Sequence, residues 1–261
     1  MGIVNVTPDS FSDGGRFLDR EAALSHARRL IGQGADILDI GGESTRPGAE
    51  PVTEADELAR VIPLIEALAA ETTIPLSIDT VKPAVARAAV AAGATMWNDV
   101  SGLTWSADSL PAAADLGCEV VLMHMLGEPR TMQKDPRYDD VAHDVPAWLL
   151  ARAEAAMAAG VAREKLWLDP GIGFGKTLAH NIALMRGLPR LVALGFPVLL
   201  GASRKRFIAA LDPSAKEAAD RLGGSLAVAL AGARAGVAAV RVHDVRESVQ
   251  ALMVQAVIEG P

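Results

Sequence analysis

The sequence holds one cysteine, only 4% aromatic residues, and 25 Lys+Arg against 32 Asp+Glu in 261 residues. Cys118, in the apolar stretch Leu116 to Leu122, can form no internal disulfide and has no cysteine partner for a metal, so it reads as a small buried hydrophobe. The net charge of −7 and the lack of any basic run argue against a general nucleic-acid binder, which needs a positive face for phosphates. Long hydrophobic runs are missing as well. Leu191 to Ser203 and Leu222 to Ala233, the longest uncharged stretches, fall short of the ~18 apolar residues that span a bilayer, and both contain glycine. The N-terminus has no basic region ahead of an apolar core, carries Asp9 and Asp13 where a signal peptide would be apolar, and has Val6 where a myristoylation signal needs Ser or Thr. A cytoplasmic protein without a transmembrane helix is expected.

What the chain does have is rhythm. Short runs rich in Val, Ile and Leu alternate with longer Ala-rich stretches of helical periodicity from one end to the other. Strands are predicted at Gly2 to Val6, Asp36 to Ile40, Pro75 to Asp79, Thr95 to Asp99, Glu119 to His124, Lys165 to Asp169, Pro197 to Gly201 and Ala238 to His243. Helices are predicted at Arg20 to Gln33, Glu54 to Ala70, Pro83 to Ala92, Ala107 to Leu116, Asp144 to Ala159, Ala179 to Leu194, Lys216 to Ala235 and Val245 to Ile258. Gly34, Gly93, Gly117, Gly160, Gly195 and Gly236 each follow a helix and precede a strand, where a left-handed residue ends the last turn. Near-continuous apolar strands suit a parallel sheet covered by helices. Eight βα units favour a closed (β/α)₈ barrel, a TIM barrel of α/β class, over an open doubly wound sheet, and a single domain over 1–261.

The polar residues collect at the predicted strand ends: Asn5, Asp39 with Glu43, Asp79, Asn98 with Asp99, His124, Asp169, Ser203 with Lys205, and Arg241 with His243. In a barrel those C-terminal ends converge on one rim, so the residues would form a single polar pocket. Singly, each has a plainer reading: Asp79 or Asp169 capping the following helix, Asn98 satisfying a turn, Met123 or Phe174 packing in the core. Together they point to a ligand site. The three longest non-periodic stretches, Thr7 to Asp19, Gly41 to Thr53 and His124 to Val141, also follow strand ends.

Several of these segments are long and irregular: MGIVNVTPDSFSDGG from Met1, DIGGESTRPGA from Asp39, SIDT from Ser77, NDVSG from Asn98, VLMHMLGEPRTMQ from Val121, DPGIGFGKT from Asp169, GASRKRF from Gly201 and RVHDV from Arg241. In them the chain resembles the dihydropteroate synthase family, folate-pathway transferases that join p-aminobenzoate to 6-hydroxymethyl-7,8-dihydropterin pyrophosphate. The resemblance implies that Asp79, Asn98, Met123, Asp169, Phe174 and Lys205 contact the pterin, with Asp79 also placed to stabilise a developing cation. It implies that Asn5, Arg46, Arg241 and His243 serve the pyrophosphate, Asn5 lying near a bridging Mg²⁺. Phe11, Thr45, Pro47 and Ser203 would surround the p-aminobenzoate ring, and Asp79, Arg46 and Lys205 would carry the catalysis. Sulfonamides, as arylamine mimics, are expected to compete at the same place. A homodimer is also implied, as is the absence from this sequence of the hairpin that precedes strand one in the family.

His124 lies in a matched segment without an assignable chemistry. Gly171 to Thr177 looks like a phosphate-binding P-loop, but Pro170 stands where that motif needs a glycine, so Lys176 is not expected to bind nucleotide. Gly173 and Gly175 are expected to let the chain pass close to the pterin, and His180-Asn181 to cap the next helix. Two rivals share the barrel and its pterin contacts: a pterin-dependent methyltransferase acting with a corrinoid partner, and a catalytically silent paralogue. The two long early loops and the Ser203-Arg204-Lys205 segment count against the first, and the presence of Phe11, Arg46 and Lys205 against the second.

Overall fold

Strands and helices alternate throughout the described residues, which are 1–6, 15–44, 50–128 and 131–260 of this computed structural model, residues 15–19 by their backbone alone. The strands are β1 (Gly2–Asn5), β2 (Leu38–Gly41), β3 (Leu76–Asp79), β4 (Met96–Asp99), β5 (Glu119–Met123), β6 (Leu166–Asp169), β7 (Leu199–Gly201) and β8 (Ala239–Arg241). The first six pair in parallel in chain order, β7 pairs with β8, and single bridges Leu168↔Val198 and Gly2↔Val242 join the two groups at both edges. The sheet therefore closes on itself as a (β/α)₈ TIM barrel, and no helix among the described residues is long and apolar enough to cross a membrane.

Each strand alternates between two environments, as its two-residue period requires. Outward positions such as Leu38, Ile40, Ile78, Trp97, Val120, Leu122, Leu166 and Leu200 join one large buried cluster with the covering helices. Burying each Leu or Ile side chain there is worth roughly 1.5–3 kcal/mol. Met1, Met96, Val121 and Leu199 form a separate inner cluster. One step further along β2 and β3, the buried positions are Asp39 and Ser77. The inner face is thus apolar at one end and polar towards the strand C-termini, rather than apolar throughout.

The helices are α1 (Gly15–Gly32), α2 (Glu54–Glu71), α3 (Pro83–Ala91), α4 (Ser109–Leu116), α5 (Val141–Ala158), α6 (Leu178–Val192), α7 (Arg206–Leu211), α8 (Leu222–Arg234) and α9 (Val245–Glu259). All six glycines expected to end helices have positive φ. Three helices differ from the sequence reading. The first begins at Gly15 rather than Arg20, so the end of the stretch Thr7 to Asp19 is helical and not loop. The start placed at Asp144 lies a turn earlier because the Asp140 side chain accepts from Ala142 N at 3.0 Å, leaving Pro146 inside the helix. The long helix expected over Lys216 to Ala235 is a short 3₁₀ turn, Ala219–Arg221, followed by α8, with α7 standing before it. There Arg221 donates to the carbonyls of Ala215 at 3.1 Å and Lys216 at 2.5 Å, which fixes a turn in a polar stretch that has no apolar stripe to bury.

Candidate active site

Asp39 is the hub of the polar end. Fully buried on β2, it accepts from Ser77 Oγ at 2.6 Å, Asn98 Nδ2 at 3.2 Å and Arg241 Nε at 2.5 Å. Arg241, reaching in from β8, also donates through Nη2 to Asp79 Oδ2 at 2.8 Å. Burial by itself would lower the Arg241 guanidinium, but the two carboxylates outweigh it and hold the group more firmly charged than usual. The other oxygen of Asp79, Oδ1, is buried and has no hydrogen-bond partner among the described residues. A buried acceptor left unpaired costs about 1–3 kcal/mol, so such an atom points to a ligand that brings a donor. Burial pushes the Asp79 carboxyl up to about 7, with Arg241 pulling against it and Asp39 adding to the push.

Asp169 closes β6, and its Oδ1 accepts from Gly171 N at 2.7 Å; burial raises its carboxyl while Lys205, Gly171 N–H and Arg241 oppose. Lys205 enters from the turn after β7, donates to the Ile172 carbonyl and lies 4.4 Å from the centre of the Phe174 ring. Burial pulls its ammonium down to about 8, with Asp169 the main counterweight. Met123 and Asn98, both buried, end β5 and precede the end of β4. Five of the six expected pterin contacts thus sit at the C-terminal ends of β3 to β6 or in the turn after β7, and Phe174 joins them through Lys205.

On the other side of the rim, the Ser203 hydroxyl accepts from His243 N at 3.2 Å and lies 3.1 Å from His243 Nδ1. The next residues pair as well: Arg204 makes a two-pronged ion pair with Asp244, Nε lying 2.9 Å from Oδ2. Asn5 ends β1 beside Gly41 of β2 and is partly exposed. Phe11, Thr45, Arg46 and Pro47 lie outside the described residues. Among the described residues, no group of three or more His, Cys, Asp or Glu side chains is placed to hold a metal ion.

Three features were not foreseen. Asp39 was noted as a strand-end residue without a role, although its place two residues before Gly41 puts it on the inner face. Lys82 Nζ donates to Glu43 Oε2 at 2.5 Å and Glu57 Oε2 at 2.6 Å, while Glu43 Oε1 accepts from Val52 N at 3.0 Å, so the segment ends at 43 and 52 are tied together. Local sequence gives no sign of that triad, because its members are far apart in the chain. Lys176, set aside as a P-loop lysine, is buried against His124. Of the two glycines expected to let the chain pass close to the pterin, Gly173 lies against Lys205, an added Cβ meeting its Cδ at 3.2 Å, and Gly175 packs on Leu126, whose carbonyl would lie 2.5 Å from an added Cβ. The capping expected of His180 and Asn181 is present, His180 forming a reciprocal box with Thr177.

A parallel barrel whose strand ends gather carboxylates, an amide and cations is an enzyme site for a small polar ligand with N–H donors and anionic groups. The sequence profile of the pterin binding enzymes matches residues 1–243. The dihydropteroate synthase of Escherichia coli (strain K12) is 47% identical over 257 residues, covering 97% of this chain and 89% of that protein. The Xanthomonas albilineans dihydropteroate synthase with 4-aminobenzoic acid superposes with a TM-score of 0.93 at 53% identity, covering 100% of this chain and 93% of that one. The Yersinia pestis enzyme in a sulfonamide drug complex gives 0.93 at 46% identity, covering 99% and 93%. The chain belongs to the dihydropteroate synthases of the pterin-binding enzyme family.

Proposed function

We propose that this barrel condenses 6-hydroxymethyl-7,8-dihydropterin pyrophosphate with p-aminobenzoate, giving 7,8-dihydropteroate and pyrophosphate, as a single domain over 1–261. The observation that carries the proposal is the Asp79 carboxylate, held by Arg241 through one oxygen and, among the described residues, buried without a partner at the other. The pterin's amino and ring N–H groups are donors, and carboxylates are acceptor-only partners for them. In this reading Asp169, Asn98 and Asp79 accept from the pterin, Lys205 donates to its ring carbonyl, and Met123 and Phe174 pack on its faces.

The bond to be broken joins a methylene carbon to a pyrophosphate oxygen. Electron release from the pterin nitrogens supports a dissociative path in which the C–O electron pair leaves with pyrophosphate and positive charge spreads over the ring. Asp79 stabilises that cation, while Arg241, His243 and Arg46 stabilise the departing anion. The neutral arylamine nitrogen then forms the new C–N bond and gives up its proton afterwards, so no strong general base is required. Ser203, Phe11, Thr45 and Pro47 are assigned to the arylamine ring.

Asn5, partly exposed at the end of β1, would hold Mg²⁺ through its amide oxygen, and the ion would supply positive charge to offset that of the leaving pyrophosphate. One neutral oxygen donor suits an ion that keeps most of its waters and takes the rest of its ligands from substrate. We assign the protein to the cytoplasm and to a homodimer. The exposed apolar residues Met253, Val254, Val257 and Ile258 of α9 support the dimer, as a surface that a second copy would bury. The test is pyrophosphate release by purified protein with both substrates and Mg²⁺. Tight pterin binding with no release would overturn the catalytic reading and leave a silent pterin binder.

A further inference from the structure

The segment between β6 and α6 is irregular backbone held in place by side chains. The Gly173 N–H donates to Asn181 Oδ1 at 2.7 Å, Gln133 Nε2 donates to the Gly173 carbonyl at 2.5 Å, and the Tyr138 hydroxyl donates to the Gly175 carbonyl at 2.8 Å. Gly171 packs so tightly on the end of β5 that an added Cβ would lie 1.9 Å from the His124 carbonyl oxygen. At the centre is Lys176, 3% exposed, whose Nζ lies 2.9 Å from the Phe174 carbonyl, 3.2 Å from the His124 carbonyl and 3.0 Å from His124 Nδ1. Burial, with the Lys205 charge nearby, pulls Lys176 down to about 7; in its ammonium form it has three protons and no lone pair, so these three acceptors satisfy it and leave none for a phosphate.

Burial, together with the Lys176 charge, pulls the His124 imidazole down to about 3, so the ring is neutral, and its Nδ1 accepts when Lys176 is an ammonium. Its ring is wedged edge-on against Trp148, with centroids 5.0 Å apart. The histidine is therefore an uncharged partner for the Lys176 ammonium and not a proton-transfer group near neutral pH. Lys176 in turn grips the backbone of Phe174, whose ring meets Lys205, and Lys205 donates to the Ile172 carbonyl in the same loop.

We infer that Lys176 is a positioning residue for the pterin site: by clamping the Phe174 backbone to His124 at the end of β5, it sets where the Phe174 ring and Lys205 stand relative to Met123 and Asp169. This rests on the function proposed above. A buried ammonium is an expensive way to tie two loops together, and a purely packing role would be served better by an apolar side chain. What a charge with three directed bonds adds is a fixed position for a loop that has no regular hydrogen-bond ladder of its own.

The test compares Lys176→Met, His124→Asn and His124→Leu with the unchanged protein. It uses calorimetric binding of 6-hydroxymethyl-7,8-dihydropterin pyrophosphate with Mg²⁺, and KM for each substrate. Lys176→Met should weaken pterin binding about tenfold or more, with KM for p-aminobenzoate kept within about twofold. His124→Asn retains an acceptor oxygen facing Lys176 and should recover most of the affinity that His124→Leu loses. Wild-type affinity in Lys176→Met, an equal loss for both substrates, or an Asn variant as weak as the Leu variant would overturn the inference. Should Lys176→Met not fold, the two His124 variants decide the matter alone. Failure of the unchanged protein to release pyrophosphate would count against the proposed reaction, while the affinity comparison would still judge the positioning role.

Discussion

Arg241 Nη2 donates to Asp79 Oδ2 at 2.8 Å while its Nε donates to Asp39 Oδ2 at 2.5 Å, so one guanidinium from the last strand bridges carboxylates of the second and third. Replacing it strands two buried acids at once. Arg241→Met should lower the unfolding free energy by about 3 kcal/mol, as breaking buried ion pairs does, and remove turnover. Urea denaturation measures the first effect and pyrophosphate release the second. Unchanged stability would mean that the bridge only orients Asp79.

The acid–base state of the rim should give pterin binding a narrow pH range. Asp79, pushed up to about 7, accepts fully only when ionised, so affinity rises as pH increases through that value. Lys205, pulled down to about 8, donates as a cation only below that value, so affinity falls above it. Titrating 6-hydroxymethyl-7,8-dihydropterin between pH 6 and 9 should therefore show a maximum between about 7 and about 8, with limbs approaching tenfold per pH unit. Lys205→Met should erase the alkaline limb and leave the acid one. A flat profile would remove both assignments.

Arg204 has φ of 58°, in the left-handed region, and sits between Ser203 and Lys205. It is restrained on every side: its N–H donates to Ser225 Oγ at 2.8 Å, its carbonyl accepts from Arg221 Nη1 at 2.9 Å, and its side chain pairs with Asp244. Such over-determination is how a strained backbone persists. Arg204→Ala and Arg204→Gly both lose the ion pair, but only Ala keeps the strain. The Gly variant should be the more stable by about 1 kcal/mol, with both slower in turnover than the unchanged protein. Equal melting temperatures would show that the turn relaxes.

Two glycines of nearly equal φ separate backbone strain from collision. Gly117, at φ 60°, has open space where a Cβ would go, whereas a Cβ on Gly171, at φ 64°, would strike the His124 carbonyl. Gly117→Ala should cost roughly 1 kcal/mol and leave activity intact. Gly171→Ala should cost about 3 kcal/mol or more and abolish pterin binding, because the loop carrying Phe174 must move. Melting temperatures and pterin affinity together distinguish the two.

The barrel was legible because its signals are local: a two-residue alternation, a helical period, and a glycine before six of the eight strands. The strand-end residues were legible for the same reason, since an end of a strand can be read from its own few residues. Contacts among them were not. Nothing near Asp39 indicates that Arg241 will reach it from 202 positions away, and nothing near Lys82 indicates Glu43 and Glu57. Lys176 shows the opposite error. Its surroundings resemble a phosphate loop, and the partner that decides its role, His124, lies 52 positions earlier.

The ring of strands closes between β1 and β8. The Met1 amino group donates to the Val240 carbonyl at 3.0 Å, Val242 N donates to the Met1 carbonyl at 2.9 Å, and Ile3 N donates to the Val242 carbonyl at 3.1 Å. Contacts of such sequence separation form late, because their loop-closure entropy is met only when the intervening units are in place. During synthesis that edge of β1 must wait for its partner until β8 has emerged. Arg241 and His243 arrive with β8, so the side of the rim proposed to hold the pyrophosphate cannot assemble before the seam does. Occupancy of the pocket thus doubles as a readout of completed folding, and ligands that need Arg241 should stabilise the closed ring over any open, partly made one.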